Sequence, residues 1–142
     1  MNPRSPQWLW LFPLAYLLHV VEEIKGVGAL HGINVSLTVF LILSTAAWLL
    51  MTCGIVLAQR FGFPQFMEVF LGTTVLLNGL SHIFSSVINR GYDAGVITGS
   101  VIFIPLGLAT SISLRNSMRR RRYIIGIVLG MVIQSIALII AA

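Results

Sequence analysis

The sequence predicts an all-α protein, a polytopic transmembrane bundle of about five helices. Two observations support this fold class. Of the 142 residues, 57% are hydrophobic and 9% are charged, whereas a soluble domain carries about 25% charged residues. The apolar residues also fall into five runs, each close to the roughly 20 residues that cross a bilayer. Lipid must therefore surround most of the surface, and the lipid bilayer is the expected partner.

The five predicted spans are separated by short polar segments. Trp8, at the start of the first span, suits the membrane interface. Pro64 suits the first turn of the third span, and Pro105 should kink the fourth span or free a carbonyl group within it. A glycine-rich loop, 24–35, follows the first span. We expect a single domain over residues 1–142, with spans at about 8–23, 36–59, 64–89, 94–114 and 123–141.

The distribution of basic residues predicts the orientation of the chain. The net charge is +5, but the bases lie at the ends of apolar runs, so we expect no nucleic-acid partner. Basic residues favour the cytoplasmic side. With the N-terminus inside, seven of the nine bases are cytoplasmic, and only Lys25 and Arg90 lie outside. We therefore expect an integral protein of the plasma (inner) membrane with a cytoplasmic N-terminus. The seven cytoplasmic bases are Arg4, Arg60, Arg115 and Arg119 to Arg122.

Ionisable residues at membrane depth are the candidate functional residues. Such a group costs about 2.5–3.5 kcal/mol at the centre of a span, so it usually faces the bundle interior. In the stretch H-V-V-E-E, Glu22 lies about 60° to one side of His19 and Glu23 about 40° to the other. On the third span, Asn78 and His82 are four residues apart and share a helix face.

Both groups fall toward the outer ends of their spans, at similar depth, so we expect them to converge. Imidazole and carboxylate groups are suitable ligands for zinc, iron or manganese. The candidate metal ligands are His19, Glu22, Glu23 and His82. The same four residues are candidate catalytic groups, with a spare glutamate as general base. Asn78 would orient a ligand or donate a hydrogen bond to the substrate.

Other interpretations of these residues remain open. The cluster could act as a metal-free acid/base site, two histidines could ligate haem, or the polar groups could simply bond helices together. Glu68 lies roughly 15 Å below Asn78 along the helix and is expected to be separate. Two pairs of glycines, Gly95/Gly99 and Gly126/Gly130, permit close helix packing within one chain or between chains of a homo-oligomer.

Three motifs in order resemble a known family. H-V-V-E-E, N-G-L-S-H and Y-D-A-G are similar to the HXXEE, NXXXH and YXPG motifs of the HXXEE membrane protein family, over spans one to four. The family's molecular function is not established. The resemblance implies functional roles for the residues above and for Tyr92 and Gly95, which we expect to contact a bound group. Ala94 replaces the proline of the third motif, so the turn is less rigid here.

The sequence thus favours a membrane-embedded enzyme that acts on a hydrophobic or lipid-like substrate at the outer face, with or without a divalent metal. Two alternatives use the same polar cluster. In an ion- or proton-binding transport protein, it would hold the transported ion. In a structural membrane subunit, it would only pack helices.

Overall fold

The computed structural model describes residues 6–26 and 36–141, and every regular element in these ranges is helical. Arg4 and most of the predicted glycine-rich loop lie outside the described residues. Five helices follow one another along the chain, with 3₁₀ turns at Pro6–Trp10 and Ile24–Gly26 on either side of the first. They are α1 (Leu11–Glu23), α2 (Leu37–Arg60), α3 (Pro64–Ile88), α4 (Val96–Leu114) and α5 (Arg120–Ala141).

Four of these helices, α2 to α5, are long and apolar enough to cross a membrane. Their ends lie within three residues of the predicted span limits. The predicted all-α membrane bundle is therefore confirmed. At 13 residues, α1 is about 20 Å long. Together with its flanking 3₁₀ turns it forms a helical segment of about 35 Å. That this segment is a fifth span remains a prediction.

The third helix is the centre of the bundle. It packs against α2, α4 and α5 and also contacts the 3₁₀ turn at Pro6–Trp10. The first helix packs against α2 and the start of α4. Side chains from the 3₁₀ turn at Pro6–Trp10 and from α1 to α4 fill one core, in which Leu9, Phe12, Ile55 and Phe103 are fully buried. This packing brings the C-terminal ends of α1 and α3 and the N-terminal end of α4 to one end of the molecule.

Glycines allow α3 to approach both α4 and α5 closely. A Cβ atom on Gly79 would lie 2.7 Å from the carbonyl oxygen of Gly99, so the two backbones touch. On α5, a Cβ atom on Gly130 would lie 2.8 Å from the carbonyl oxygen of Phe70, and one on Gly126 would lie 3.0 Å from the side chain of Val69. Both small-residue pairs therefore contribute to packing within one chain.

The fourth helix contains a π turn directly before its proline. Residues Gly99–Phe103 are π-helical, and the amide of Ile104 donates to the carbonyl of Gly99, five residues earlier. Pro105 has no amide hydrogen to continue the α-helical pattern. Single π turns of this kind occur frequently beside functional sites. Here the π turn places Phe103 against the imidazole of His19, with ring centroids 4.4 Å apart.

Candidate metal centre

Two imidazoles and one carboxylate converge where α1, α3 and α4 meet. Oε1 of Glu23 lies 3.5 Å from Nε2 of His19 and 3.4 Å from Nε2 of His82. The three ligand atoms lie within 4.8 Å of one another, so this group could hold a metal ion. His19 and Glu23 are one turn apart on α1, and His82 comes from the last two turns of α3.

A glycine between the two imidazoles makes this approach feasible. Gly95 has a φ of 105°, in the left-handed region that favours glycine. A Cβ atom there would lie 2.7 Å from Cε1 of His19 and 2.7 Å from Cε1 of His82. The position therefore requires glycine for its backbone conformation and for the space that the two rings occupy.

A hydrogen-bond chain fixes the tautomer of His19. The Thr98 hydroxyl donates to Oε2 of Glu22 at 2.6 Å, and its oxygen lies 2.7 Å from Nδ1 of His19. Because the hydroxyl has already used its proton, Nδ1 must be the donor in the second contact. Nε2 then carries a lone pair. This atom is buried and has no hydrogen-bond partner among the described residues.

The second imidazole is oriented in the same way by an acid. Nδ1 of His82 pairs with Oδ1 of Asp93, and the Ser85 hydroxyl donates to Oδ2 of the same carboxylate at 2.5 Å. An ionised carboxylate only accepts hydrogen bonds, so Nδ1 of His82 carries a proton, and in the neutral imidazole Nε2 then carries the lone pair. Metal-bound histidines almost always donate their other ring N–H to a carboxylate, carbonyl or water.

The separations around Glu23 suit a shared cation. Charge-assisted N–H···O hydrogen bonds are about 2.7–2.9 Å long, shorter than the 3.4 and 3.5 Å contacts found here. Ligand atoms bound tetrahedrally to zinc at about 2.0–2.1 Å lie roughly 3.3–3.4 Å apart. Three ligands would leave one coordination position open, as in catalytic zinc sites.

The neighbouring acid, Glu22, faces the start of α4 and does not belong to the three-residue group. Its carboxylate accepts four hydrogen bonds, from the hydroxyls of Tyr92 and Thr98 at 2.7 and 2.6 Å and from the amides of Ile97 and Thr98 at 3.0 and 2.8 Å. It thereby satisfies amide groups in the first turn of α4. The role of Glu22 as general base or fourth ligand stays a prediction.

Tyr92 lies in the connection between α3 and α4, over the same carboxylate. The hydrogen bond to Glu22, together with burial and the negative charges of Glu22 and Asp93, raises the pKa of Tyr92 to about 12. The hydroxyl is therefore a donor throughout the physiological range. Tyr92 thus contacts Glu22, which is linked to His19 through Thr98. Gly95 lies directly against both imidazoles.

The remaining polar residues lie outside the three-residue group. Asn78 is one turn from His82 on α3, and its Oδ1 atom is buried without a hydrogen-bond partner in the described ranges. Glu68 is buried near the other end of α3, about 21 Å from His82 along the helix. It is thus separate from the candidate metal centre, as expected.

The sequence reasoning missed three residues that orient the histidines: Ser85, Asp93 and Thr98. Asp93 carried a usable signal, because it lies inside the Y-D-A-G segment and is one of only four acids in the chain. No comparable sequence signal points to Thr98 or Ser85. They are ordinary hydroxyl residues in apolar helices, and their roles depend on which helices become neighbours.

Comparison with known proteins supports the assignment of the motif. Residues 10–110 match the family described as proteins of unknown function with HXXEE motif. No curated protein and no solved structure gives a significant match. The matched region extends from the turn before α1 into the second half of α4 and contains the whole candidate metal centre. The chain therefore belongs to the HXXEE family of proteins of unknown function.

Proposed function

We propose that this protein is a membrane-embedded enzyme that holds one divalent transition metal ion through His19, Glu23 and His82. The observation that carries the proposal is the convergence of two imidazole Nε2 atoms on one carboxylate oxygen, at 3.4 and 3.5 Å. Both imidazoles have their Nδ1 atoms occupied elsewhere. Zinc, iron and manganese all accept such a ligand set.

The surroundings of the centre support a catalytic role. A metal ion with an open position polarises a substrate oxygen or activates a bound water molecule. Glu22 and Asp93 are engaged in hydrogen bonds that orient α4 and His82, so they serve as positioning residues. Glu23, whose side chain is 14% exposed, would supply one negative charge to offset half of the charge of a divalent ion.

The location of the centre favours a hydrophobic substrate. Around it, α1 and α3 expose large apolar side chains, including Val21, Phe84 and Val87, each at least 60% exposed. In a bilayer these side chains contact lipid tails, so a lipid-like molecule reaches the centre without crossing water. With the N-terminus in the cytoplasm, this end of the bundle lies at the outer face.

Metal content is the first test of the proposal. We expect the purified protein in mild detergent to contain about one zinc, iron or manganese ion by elemental analysis. His19→Ala, Glu23→Gln and His82→Ala should each lower metal affinity by 10-fold or more while the helix content stays unchanged. His31→Ala is the matched control, because His31 is the remaining histidine of the chain. Full metal content in all three folded variants would refute the metal site.

Activity requires a second measurement. Wild-type and His82→Ala proteins, each incubated with a membrane lipid extract, are compared by untargeted mass spectrometry of the lipids. An enzyme forms a product with the wild type alone and needs no ion gradient. Metal binding without any product, combined with ion uptake into proteoliposomes, would instead support the transport alternative.

A further inference from the structure

A cavity lies at the opposite end of the bundle from the candidate metal centre. It has a volume of about 930 Å³, and we call it the basal cavity. Its wall combines aromatic and charged side chains from the α2–α3 connection, the start of α3 and the α4–α5 connection. The residues that matter here are Phe61, Phe63, Phe66, Glu68, Arg119 and Arg122.

The charges of the basal cavity favour one anionic group. Arg119 and Arg122 bring two guanidinium groups and Glu68 one carboxyl group. In the described part of the chain, neither arginine side chain forms a salt bridge, so their donors remain available. The Ser113 hydroxyl, also on the wall, donates to the carbonyl of Ala109. The arginines are the charged donors on this wall, and guanidinium groups match phosphate geometry.

The apolar part of the wall indicates that the anion carries a hydrocarbon chain. Phe61 is 68% exposed and Phe63 is 37% exposed, although both stand beside the two arginines. The cavity opens where four membrane helices end, which is the level of the lipid headgroups. Its volume is in the range of small-molecule sites and exceeds what a bare phosphate needs.

We propose that the basal cavity binds a phospholipid, with the phosphodiester held by Arg119 and Arg122 and an acyl chain lying along Phe61 and Phe63. A phosphodiester bears one negative charge, which the two arginines attract. The site is independent of the candidate metal centre, because no residue is shared and the two lie at opposite ends of α3.

The four consecutive arginines provide a matched control. Arg120 and Arg121 belong to the same basic run but do not line the basal cavity. The double variants Arg119→Gln/Arg122→Gln and Arg120→Gln/Arg121→Gln remove the same charge from neighbouring positions. Only the first pair should remove the phosphate ligands, whereas a general attraction to anionic membranes would weaken equally in both.

Native mass spectrometry in mild detergent, with added dioleoylphosphatidylglycerol, tests the proposal. We expect one tightly held lipid per chain. The affinity should fall about 10-fold in Arg119→Gln/Arg122→Gln, because charge-assisted hydrogen bonds are lost, and less than 2-fold in the control. Thermal unfolding of both variants verifies that they are folded.

Two further probes decide the nature of the ligand. Dioleoylglycerol has the chains without the phosphate, and glycerol 3-phosphate has the phosphate without the chains. We expect both to bind at least 10-fold more weakly than the phospholipid. Equal binding of glycerol 3-phosphate would make this a free-anion site, equal binding of dioleoylglycerol would make it an apolar groove, and equal loss in both arginine variants would reduce it to surface electrostatics. Each of these three outcomes overturns the proposal.

Discussion

At the residue scale, the hydrogen bonds made by the Nδ1 atoms of His19 and His82 leave both Nε2 atoms facing Oε1 of Glu23. The Thr98 oxygen accepts a hydrogen bond from Nδ1 of His19, and the Asp93 carboxylate accepts one from Nδ1 of His82. Each imidazole therefore presents a lone pair on Nε2. Since neutral imidazole has one donor and one acceptor, these two contacts determine what the centre can bind. Replacing either partner would free the ring to flip or change tautomer.

Gly95→Ala is the sharpest test of the space between the rings. The added methyl group would lie 2.7 Å from both imidazoles, and the positive φ costs an alanine about 1–2 kcal/mol. We expect metal affinity to fall at least 10-fold, measured by competition with a chelator. Gly91→Ala is the control, because its nearest neighbour would be 3.7 Å away. Wild-type affinity in Gly95→Ala would contradict this geometry.

Tyr92 gives a prediction about pH. Its pKa of about 12 exceeds the ordinary value of about 10, so the protonated hydroxyl is favoured by folding. The stabilisation from its hydrogen bond is complete below pH 10 and is lost as the pH rises through 12. At pH 10.5 an ordinary tyrosine is about three-quarters ionised, whereas Tyr92 should be only a few per cent ionised.

Ultraviolet absorbance at 295 nm measures this ionisation directly. The difference between the wild type and Tyr92→Phe isolates the signal of Tyr92. We expect almost no difference at pH 10.5 in the folded protein and a clear difference after denaturation. A full tyrosinate signal in the folded state at that pH would show that the bond to Glu22 is absent.

The residues of the candidate centre could be predicted only in part. Helical spacing was sufficient to group His19 with Glu22 and Glu23, because residues three and four apart share a face. It could not separate the two acids, which flank His19 at similar angles. The position of α4 separates them: its first turn draws Glu22 away and leaves Glu23 facing His82. That position depends on contacts between residues more than 70 apart in sequence.

At the scale of the helices, the contact between Gly79 and Gly99 sets the distance between α3 and α4. A methyl group on Gly79 would lie 2.7 Å from a backbone carbonyl oxygen, which cannot move aside. We expect Gly79→Ala to destabilise the protein by about 1–3 kcal/mol. Thermal unfolding in detergent, followed by circular dichroism, measures the change.

Gly54→Ala is the matched control for this contact. It also lies in a long helix, and its added methyl group would meet the flexible end of Met67 at 2.7 Å. The methionine can move, and alanine favours helix by up to about 1 kcal/mol over glycine. The control should therefore unfold at or above the wild-type temperature. Equal destabilisation of both variants would show that the Gly79–Gly99 contact has no special role.

The helices themselves were largely predictable, because runs of about 20 apolar residues have few alternatives in a bilayer. Pro105 predicted a kink or a free carbonyl group in α4, and the irregularity found close to it is a π turn. The π turn at Gly99–Phe103 lies before the proline, and its first residue contacts Gly79 of α3. The first predicted span was also recognisable as the shortest, because polar residues follow soon after its apolar run, and its crossing of the membrane stays a prediction.

At the scale of the whole molecule, the side of the membrane on which each end lies remains a prediction. The basic residues place the α4–α5 connection inside and the α3–α4 connection outside. Single cysteines at Asn116 and Asn89 report on these connections, in a Cys53→Ser background that removes the native thiol. A membrane-impermeant maleimide added to intact cells should label Asn89→Cys strongly and Asn116→Cys only after lysis. The reverse pattern would place the candidate metal centre at the cytoplasmic face.

The four bonds accepted by Glu22 also constrain how the protein is made. Residues 97 and 98 are synthesised some 75 positions after Glu22. While the ribosome is still translating α2 and α3, the first helix already sits at the membrane with an imidazole and two carboxyl groups that have not met their partners. Insertion of α3 brings His82 to Glu23, and the α3–α4 connection with the first turn of α4 then supplies all four donors to Glu22. Nascent chains arrested before residue 98 should therefore be the forms that quality-control proteases recognise, and chains arrested beyond α4 should escape them.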